Sequence, residues 1–453
     1  MIVVVGDALL DVDLTGRAGR LMPEAPVPVL DDLTESRRPG GAALAAALLA
    51  RDGAEVTLVA PLCDDADGSA LRAEIEAAGV RLVAVAARGG TAVKRRVRSG
   101  GQSLLRLDSG GDAEPGPLPE AALEALRSAE AVLVADYGRG MSAHGQLREA
   151  LGALPRRTPV VWDPHPRGAE PVPGVRLVTP NEAEAGAPSP GLAALTERAA
   201  ELVQRWHCEA VAVTLGARGA LVSRGESSPS IVPAPRVEAR DTCGAGDRFA
   251  SAATLALARG ALTIEAVQEA VHAAAAFVAG GAAAGLASGA SAGNSAGRSG
   301  SGGPASGLAR IEQVRARGGT VVATGGCFDL LHAGHVATLE AARALGDCLV
   351  VCLNSDESVR RLKGPSRPLV PQHDRARVLE ALETVDAVVV FDEDTPLEVI
   401  RRLRPDVWAK GGDYAGTELP EAAVLREWGG QSVVLPYLRG RSTTRLVESA
   451  RTR

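Results

Sequence analysis

The sequence predicts an α/β protein of two domains: an open parallel sheet covered by helices and carrying a small β lid, then a smaller doubly wound α/β domain. Three observations lead there. Short apolar runs alternate with helical stretches along residues 1–285. A Gly/Ala/Ser tract breaks that rhythm over residues 286–308, and the rhythm restarts over 309–453. At 453 residues the chain is long enough for each domain to bury its own core.

Ile2–Val5 reads as a short buried strand ending at Gly6-Asp7, with Asp11 and Asp13 close behind. Residues 23–33 (PEAPVPVLDDL) are punctuated by Pro, which suits an edge strand or lid rather than a central strand. Arg38-Pro39-Gly40-Gly41 leads into an Ala/Leu helix over Ala42–Arg51. VTLVAPL from Val56 is a strand and Ser69–Ala78 a helix; Thr91–Arg98 and Gln102–Asp108 flank Ser99-Gly100-Gly101 as a hairpin. Further buried strands are expected at Ala131–Asp136, Val160–Asp163, Arg176–Thr179 and Ala210–Leu215. Sites in open parallel sheets lie beyond the carboxyl ends of the strands, where Asp136, Asp163, Asn181 and Thr214 fall.

The tract at 286–308 cannot bury a core and reads as a flexible tether, its ends averaging roughly 25–30 Å apart. It permits two independent sites without imposing a rigid channel. After it come a short helix at Ile311–Arg317, a buried strand at Val321–Ala323 turned by Thr324-Gly325-Gly326, and a helix over His332–Leu345. Cys348–Leu353, Ala387–Phe391, Val407–Ala409 and Val433–Leu435 are strands, and Gln372–Leu382 is a helix. Leu362-Lys363-Gly364 and Ser366–Pro368 read as loop, and Arg441–Thr444 opens a last helix. A compact Rossmann-like domain accounts for these elements.

A formal net charge of -6 argues against a nucleic-acid-binding surface as the main role. No apolar run reaches membrane-spanning length without a Gly or a charge, and the first residues meet carboxylates with no basic lead. Neither a membrane partner nor a secretory leader is expected, and the cytoplasm is the expected compartment. The six cysteines show no CxxC pair, which suits reduced thiols. Basic residues are almost all Arg; the only lysines are Lys94, Lys363 and Lys410, each inside a candidate motif. A compact ammonium and a guanidinium are not interchangeable where phosphate oxygens are held.

Asp241-Thr-Cys-Gly244-Ala245-Gly246-Asp247 precedes a helix beginning near Arg248. Gly244, Ala245 and Gly246 let successive N–H groups point into one concavity, an anion nest at a helix start. The Asp247 carboxylate follows within reach of a substrate hydroxyl. A Gly-rich turn with an Asp helix cap explains GAGD alone equally well. No GxxxxGK[ST] run occurs, which excludes a P-loop kinase.

The whole run DTCGAGD, with Gly40-Gly41, resembles the ribokinase (PfkB) family of carbohydrate kinases, and so implies a ribokinase-like fold. By that resemblance Asp247 is the base that deprotonates a sugar hydroxyl, and Gly244, Ala245 and Gly246 form the anion hole. Asn181-Glu-Ala-Glu184 matches an NxxE motif that organises Mg²⁺ and the ATP phosphates, Glu184 acting through the metal. Thr214, Gly216 and Gly219 fall at the ATP-binding strand end and loop, while Asp11, Gly40, Gly41 and Asp136 face the sugar. Lys94, Arg96 and Arg106, on lid strands, either receive a phosphate already on the substrate or form the solvated face of a hairpin. The family's sugar-binding Asn after the paired glycines is Leu44 here.

His332-Ala-Gly-His335 places two imidazoles on one face of a first helical turn, where unpaired N–H groups and the helix dipole favour a phosphate chain. Imidazole donors there can neutralise charge built up in nucleotidyl transfer. A metal half-site is the other reading of HxxH, and no third ligand sits at metal spacing nearby. GCFDLLHAGH resembles the HxGH motif of the cytidylyltransferase-like nucleotidyltransferases. With NSDES, RLKGPSRP, the FDEDTP run, KGGDY and STT, the second half resembles the bifunctional ADP-heptose synthases almost end to end. That resemblance implies that His332 and His335 contact the triphosphate and that Lys363 holds phosphate oxygens. Arg375 and Ser442, Thr443 and Thr444 would bind nucleotide phosphate; Asp356, Lys410 and Asp413 would line the substrate or base side, with Gly326 and Phe328 in the motif's turn. Lys410 also reads as an exposed turn residue, and Ser442–Thr444 as an ordinary N-cap. The family's Asn within the turn is Gly325 here.

Together these resemblances imply ATP-dependent phosphorylation of D-glycero-β-D-manno-heptose 7-phosphate at O1. They also imply adenylyl transfer from ATP to heptose 1-phosphate, giving ADP-heptose and pyrophosphate. Mg²⁺ would accompany ATP, a separate phosphatase would act between the steps, and a homodimer would form through the kinase lid. Two other readings stay open on the sequence. One is the same architecture acting on another sugar phosphate or nucleotide. The other is a degenerate kinase half, altered at Leu44, serving as a dimerisation or regulatory module for an active nucleotidyltransferase.

Overall fold

The computed structural model describes residues 1–100, 102–187, 191–237, 241–285, 307–412 and 419–436. Residues 286–306 of the tether, Asp413 and the expected helix start at Ser442–Thr444 lie outside the described residues, while residues 307 and 308 begin helix Gly307–Ala316. The chain divides into two compact units, one of Met1–Ala185, Leu202–Thr214 and Pro235–Ala292, the other of Gly186–Glu201, Leu215–Ala234 and Gly293–Arg453. Residues 215–234 thus group with the second unit, whereas the sequence boundary at 285 places them with the first.

In the first unit, strand Ile2–Gly6 pairs in parallel with Val56–Cys63 on one side and Ala131–Ala135 on the other. Arg81–Arg88 extends the sheet beyond Val56–Cys63; Val160–Asp163, Leu177–Val178 and Val211–Thr214 extend it beyond Ala131–Ala135. Every residue of Ile2–Gly6 and Ala131–Ala135 is buried, which is why these strands read as unbroken Val/Leu/Ala runs. The winding reverses at Ile2–Gly6, so a crevice opens beyond its carboxyl end.

The lid is a second, four-stranded sheet in the order Ala25–Gly41, Ala8–Met22, Val93–Ser99, Gln102–Ser109. The hairpin and the Pro-bearing edge strand match expectation. The sequence reading missed that Ala8–Met22 is one strand of 15 residues. Its inner half is buried, but from Thr15 onward nearly every residue is exposed, so no alternating pattern marks it; pairing on both sides holds it extended. Helix Ala42–Arg51 starts at Gly41, whose φ of 60° and a would-be Cβ 2.6 Å from the Asp7 carbonyl oxygen both require glycine.

The second unit contains five parallel strands in the order Ala387–Phe391, Cys348–Asn354, Val321–Gly326, Val407–Gly411, Gln431–Leu435. The winding reverses between Val321–Gly326 and Val407–Gly411, and their carboxyl ends mark the crevice. One expectation fails here. Leu362 and Lys363 are not loop but the last turn of helix Asp356–Lys363, capped by Ser355 Oγ on the Ser358 amide (3.1 Å). Among DESVRRLK only Ser358 and Val359 are buried, so the helix shows almost no apolar period.

Candidate active sites

In the first unit Gly244 (φ 83°) caps helix Ala245–Ala258, which puts Ala245, Gly246 and Asp247 in its first turn. The Ala245 amide is taken by the Thr242 carbonyl (3.1 Å), so anion binding falls to the other amides of that turn. A Cβ on Gly244 would lie 2.9 Å from Leu44 Cδ2. Leu44 is buried with Leu48 and Ala283, against Cys243 and Phe277. It therefore packs beneath the glycine turn.

Asp247 is buried, and Tyr137 Oη donates to its Oδ1 at 2.6 Å. Burial pushes its pKa up to about 7, opposed by the Tyr137 hydrogen bond and reinforced by the charge of Asp11. A carboxylate poised there suits a general base near neutrality. Asp163, at the end of its strand, is held well above the usual carboxylate range by burial and by Asp247, while Thr179 Oγ1 donates to it at 2.8 Å. Asp7 accepts the amides of Tyr137, Arg139 and Met141 at 3.1, 3.0 and 3.1 Å, fixing the loop that carries Tyr137. Neither Tyr137 nor Asp7 was singled out from the sequence. The Asp-Tyr-Gly triplet after the buried strand, with only three tyrosines in the chain, is the signal that was there.

Asp136 was expected to face the sugar, and the structure closes it in. Its Oδ1 accepts the Gly138 amide at 2.7 Å, and a Cβ on Gly168 would lie 1.8 Å from its Oδ2. Asp11 does sit on the lid, accepting Arg96 Nη1 at 2.7 Å, with Arg38 Nη2 at 3.9 Å. Gly40 lies against it: a Cβ there would come 2.8 Å from Asp11 Oδ2. Of the three expected phosphate receivers, Arg96 is taken by Asp11 and by Cys243 Sγ (3.4 Å), and Arg106 is exposed and paired with Asp108 on its own strand (2.7 Å). Lys94 differs: its ammonium lies 5.2 Å from the Tyr137 ring centroid, and burial lowers its pKa. Arg98 also reaches across, pairing at 2.9 Å with Asp241, whose Oδ1 accepts the Cys243 amide at 3.0 Å.

Asn181 and Glu184 close on each other: Glu184 Oε2 accepts the Asn181 amide (2.8 Å) and Asn181 Oδ1 accepts the Glu184 amide (2.9 Å). Asn181 also bridges to Thr214, so the NxxE pair and the strand end adjoin. Burial raises the pKa of Glu184. In the second unit Gly216 (φ 59°) and Gly219 (φ 101°) bound a single helical turn, and a Cβ on Gly219 would lie 1.9 Å from the Val232 carbonyl oxygen. Among the described residues no three His, Cys, Asp or Glu side chains converge as a metal site.

His332 is the N-cap of helix Ala333–Arg343. Its Nδ1 accepts the Gly334 amide (3.1 Å), and His335 Nδ1 accepts the His332 amide (3.4 Å). An Nδ1 that accepts carries no proton, so each ring is the tautomer with its proton on Nε2, available to a phosphate oxygen. The rings stack at 4.0 Å. Burial, then His332 and Lys363, push the pKa of His335 down to about 4, which keeps it a neutral donor. Phe328 packs on His335 with centroids 5.5 Å apart, and a Cβ on Gly326 would crowd that ring at 3.2 Å.

Arg375 is a correction. It is 1 % exposed, with Nε on the Val370 carbonyl (2.9 Å), Nη1 on the Cys327 and Asn354 carbonyls (2.5 and 3.0 Å) and Nη2 on Asp356 Oδ1 (2.7 Å). It braces the motif loop from inside and leaves no donor face for a nucleotide; Asp356 is its partner. Asp329 adds a second brace, accepting the Leu369 and Val370 amides (2.7 and 3.0 Å) and Arg367 Nη1 (2.5 Å). Lys410 meets the buried Glu421 at 3.0 Å. The Asn expected at Gly325 has no room: a Cβ there would lie 2.7 Å from Trp408 Cη2.

A model of the pfkB family carbohydrate kinases matches residues 1–291, and a cytidylyltransferase-like model matches residues 323–448. Bifunctional protein HldE of Streptomyces coelicolor is 57% identical over 456 residues, covering 99% of this chain and 96% of that one. The chain belongs to the HldE family. Bifunctional protein HldE of Azorhizobium caulinodans is 40% identical over 471 residues, covering 100% of this chain and 98% of that one. A mutant of Escherichia coli phosphofructokinase-2 superposes with a TM-score of 0.51 at 22% identity, over 61% of this chain and 92% of that one, which shows the ribokinase-like fold. Like its family, the chain is a bifunctional enzyme, a heptose kinase joined to an adenylyltransferase.

Proposed function

We infer that the two activities run on separate residue sets, Asp247 with the Gly244–Gly246 helix start in the first unit, and His332 with His335 in the second. The kinase acts on D-glycero-β-D-manno-heptose 7-phosphate. Asp247 takes the proton of the O1 hydroxyl, O1 bonds the γ-phosphorus of ATP, and the bond to the β–γ bridging oxygen breaks to release ADP. The first-turn amides beside Gly244 hold the charge of the transferring group. Lys94, the one of the three expected receivers turned to the Tyr137 side, meets the phosphate already on the sugar. The observation that carries this assignment is the buried Asp247 carboxylate, its pKa raised to about 7 in the first turn of a glycine-opened helix.

In the transferase, a phosphate oxygen of heptose 1-phosphate bonds the α-phosphorus of ATP and pyrophosphate leaves. The nucleophile is already anionic, so no base is required; the Nε2 protons of His332 and His335, with Lys363, meet the triphosphate. Glu184, beside Asn181 and Thr214, would hold a Mg²⁺ ion accompanying ATP, which would supply charge screening for the phosphates. Because the kinase product keeps its 7-phosphate, a separate phosphatase acts between the steps. Exposed Leu21 (60 %), Leu33 (59 %) and Leu105 (53 %) on the lid sheet support a homodimer formed there, in the cytoplasm.

ATP consumption measured with heptose 7-phosphate, and separately with heptose 1-phosphate, tests the reading. Asp247→Asn should lose the first and keep the second, and His332→Ala the reverse. Loss of both in either variant, or a parent with no kinase activity, overturns it.

A further inference from the structure

The residue that touches the kinase base is one that neither the motifs nor the family comparison points to. Tyr137 Oη donates to Asp247 Oδ1 at 2.6 Å across 110 residues of sequence. The loop carrying it is not free to drift, because Asp7 accepts three of its amides and Arg139 Nη1 bonds the Gly111 carbonyl at 3.0 Å. The ring is covered by the Lys94 ammonium at 5.2 Å. No other side chain bonds Asp247 among the described residues.

We propose that Tyr137 is a positioning residue for the phosphoryl transfer: its phenol O–H holds Oδ1 of Asp247 and leaves Oδ2 to take the proton of the sugar hydroxyl. This rests on Asp247 being the base. A phenol donating to a carboxylate favours the ionised form, so Tyr137 offsets part of the burial that raises the Asp247 pKa. Burial and the charge of Asp247 hold Tyr137 itself well above its ordinary value, so it stays a donor over the working range. The charged and titratable groups facing Asp247 are Tyr137 from the loop after Ala131–Ala135, Lys94 and Asp11 from the lid strands, and Asp163 from the end of Val160–Asp163. Tyr137 alone among these bonds it directly.

The test is Tyr137→Phe in the full-length chain, read in two ways. The acidic limb of the kinase profile should move up by about one to two pH units, as expected for one lost hydrogen bond to a charged group. kcat should fall several-fold while KM for ATP and the transferase rate hold, the second activity reporting that the chain is folded. The same upward shift should appear in the carboxyl ¹³C titration of Asp247, assigned by its absence in Asp247→Asn. That titration needs no substrate, so it decides the role of Tyr137 even if the sugar differs from heptose 7-phosphate. An unmoved or lowered titration overturns the proposal, whatever happens to kcat. Normal titration behaviour with no kinase activity in the parent would instead overturn the function assigned above.

Discussion

The two helix starts proposed to handle phosphate are built differently. Helix Ala245–Ala258 opens on glycine, offers main-chain amides and holds a buried carboxylate whose pKa is near neutrality. Helix Ala333–Arg343 opens on histidine and offers two Nε2 donors, with no carboxylate in its first turn. The difference follows the nucleophile. A sugar hydroxyl must lose a proton as it attacks, so a base stands beside the anion site. A sugar 1-phosphate attacks through an oxygen that is already charged, so donors suffice.

The largest effects should come from breaking each device in turn. Asp247→Asn is expected to lower the kinase rate by about 10²–10⁴-fold, and His332→Ala the transferase rate by about 10²–10³-fold, each leaving the other within twofold in paired assays. Next comes the internal brace. Arg375→Met should destabilise the second unit by about 3 kcal/mol, because three carbonyls and Asp356 lose their donor. Urea unfolding should show this as a transition at lower denaturant than in the parent, with transferase activity lost along it. Smaller again is the glycine turn: Gly244→Ala puts a Cβ at positive φ against Leu44 and should cost about 1–3 kcal/mol along with kinase activity. Gly325→Ala should cost a similar amount in the second unit and be relieved by Trp408→Leu, since the clash is with that ring.

The gentlest test is pH. Asp247 must be ionised to act, so kinase kcat/KM should climb with pH through about 7 and level above it, a tenfold loss per unit below. His335 protonates only near 4, so the transferase should show no limb from this residue between pH 5 and 8. A transferase that dies in step with the kinase on acidification would undo the contrast.

Much of this was legible before any coordinates. The glycine-rich run, the HAGH turn and the alternation of apolar strands with helices are local patterns, and their backbone consequences are local too. Strand Ala8–Met22 and helix Asp356–Lys363 escaped because neither buries enough apolar side chains to show a period. Leu44 and Gly325 looked like lost polar contacts; each proves to be a matter of volume, one filling space under Gly244 and the other vacating it for Trp408.

The sequence by itself determined where the two helix starts stand and which residues open them, because a turn is specified by neighbours in the chain. Only the tertiary structure decided what those residues experience. That Tyr137 bonds Asp247, that Asp7 pins the loop carrying Tyr137, and that Arg375 is spent inside the fold all depend on segments far apart in sequence. Burial and hydrogen-bond partners set protonation, and both are properties of the packed chain rather than of any stretch of it.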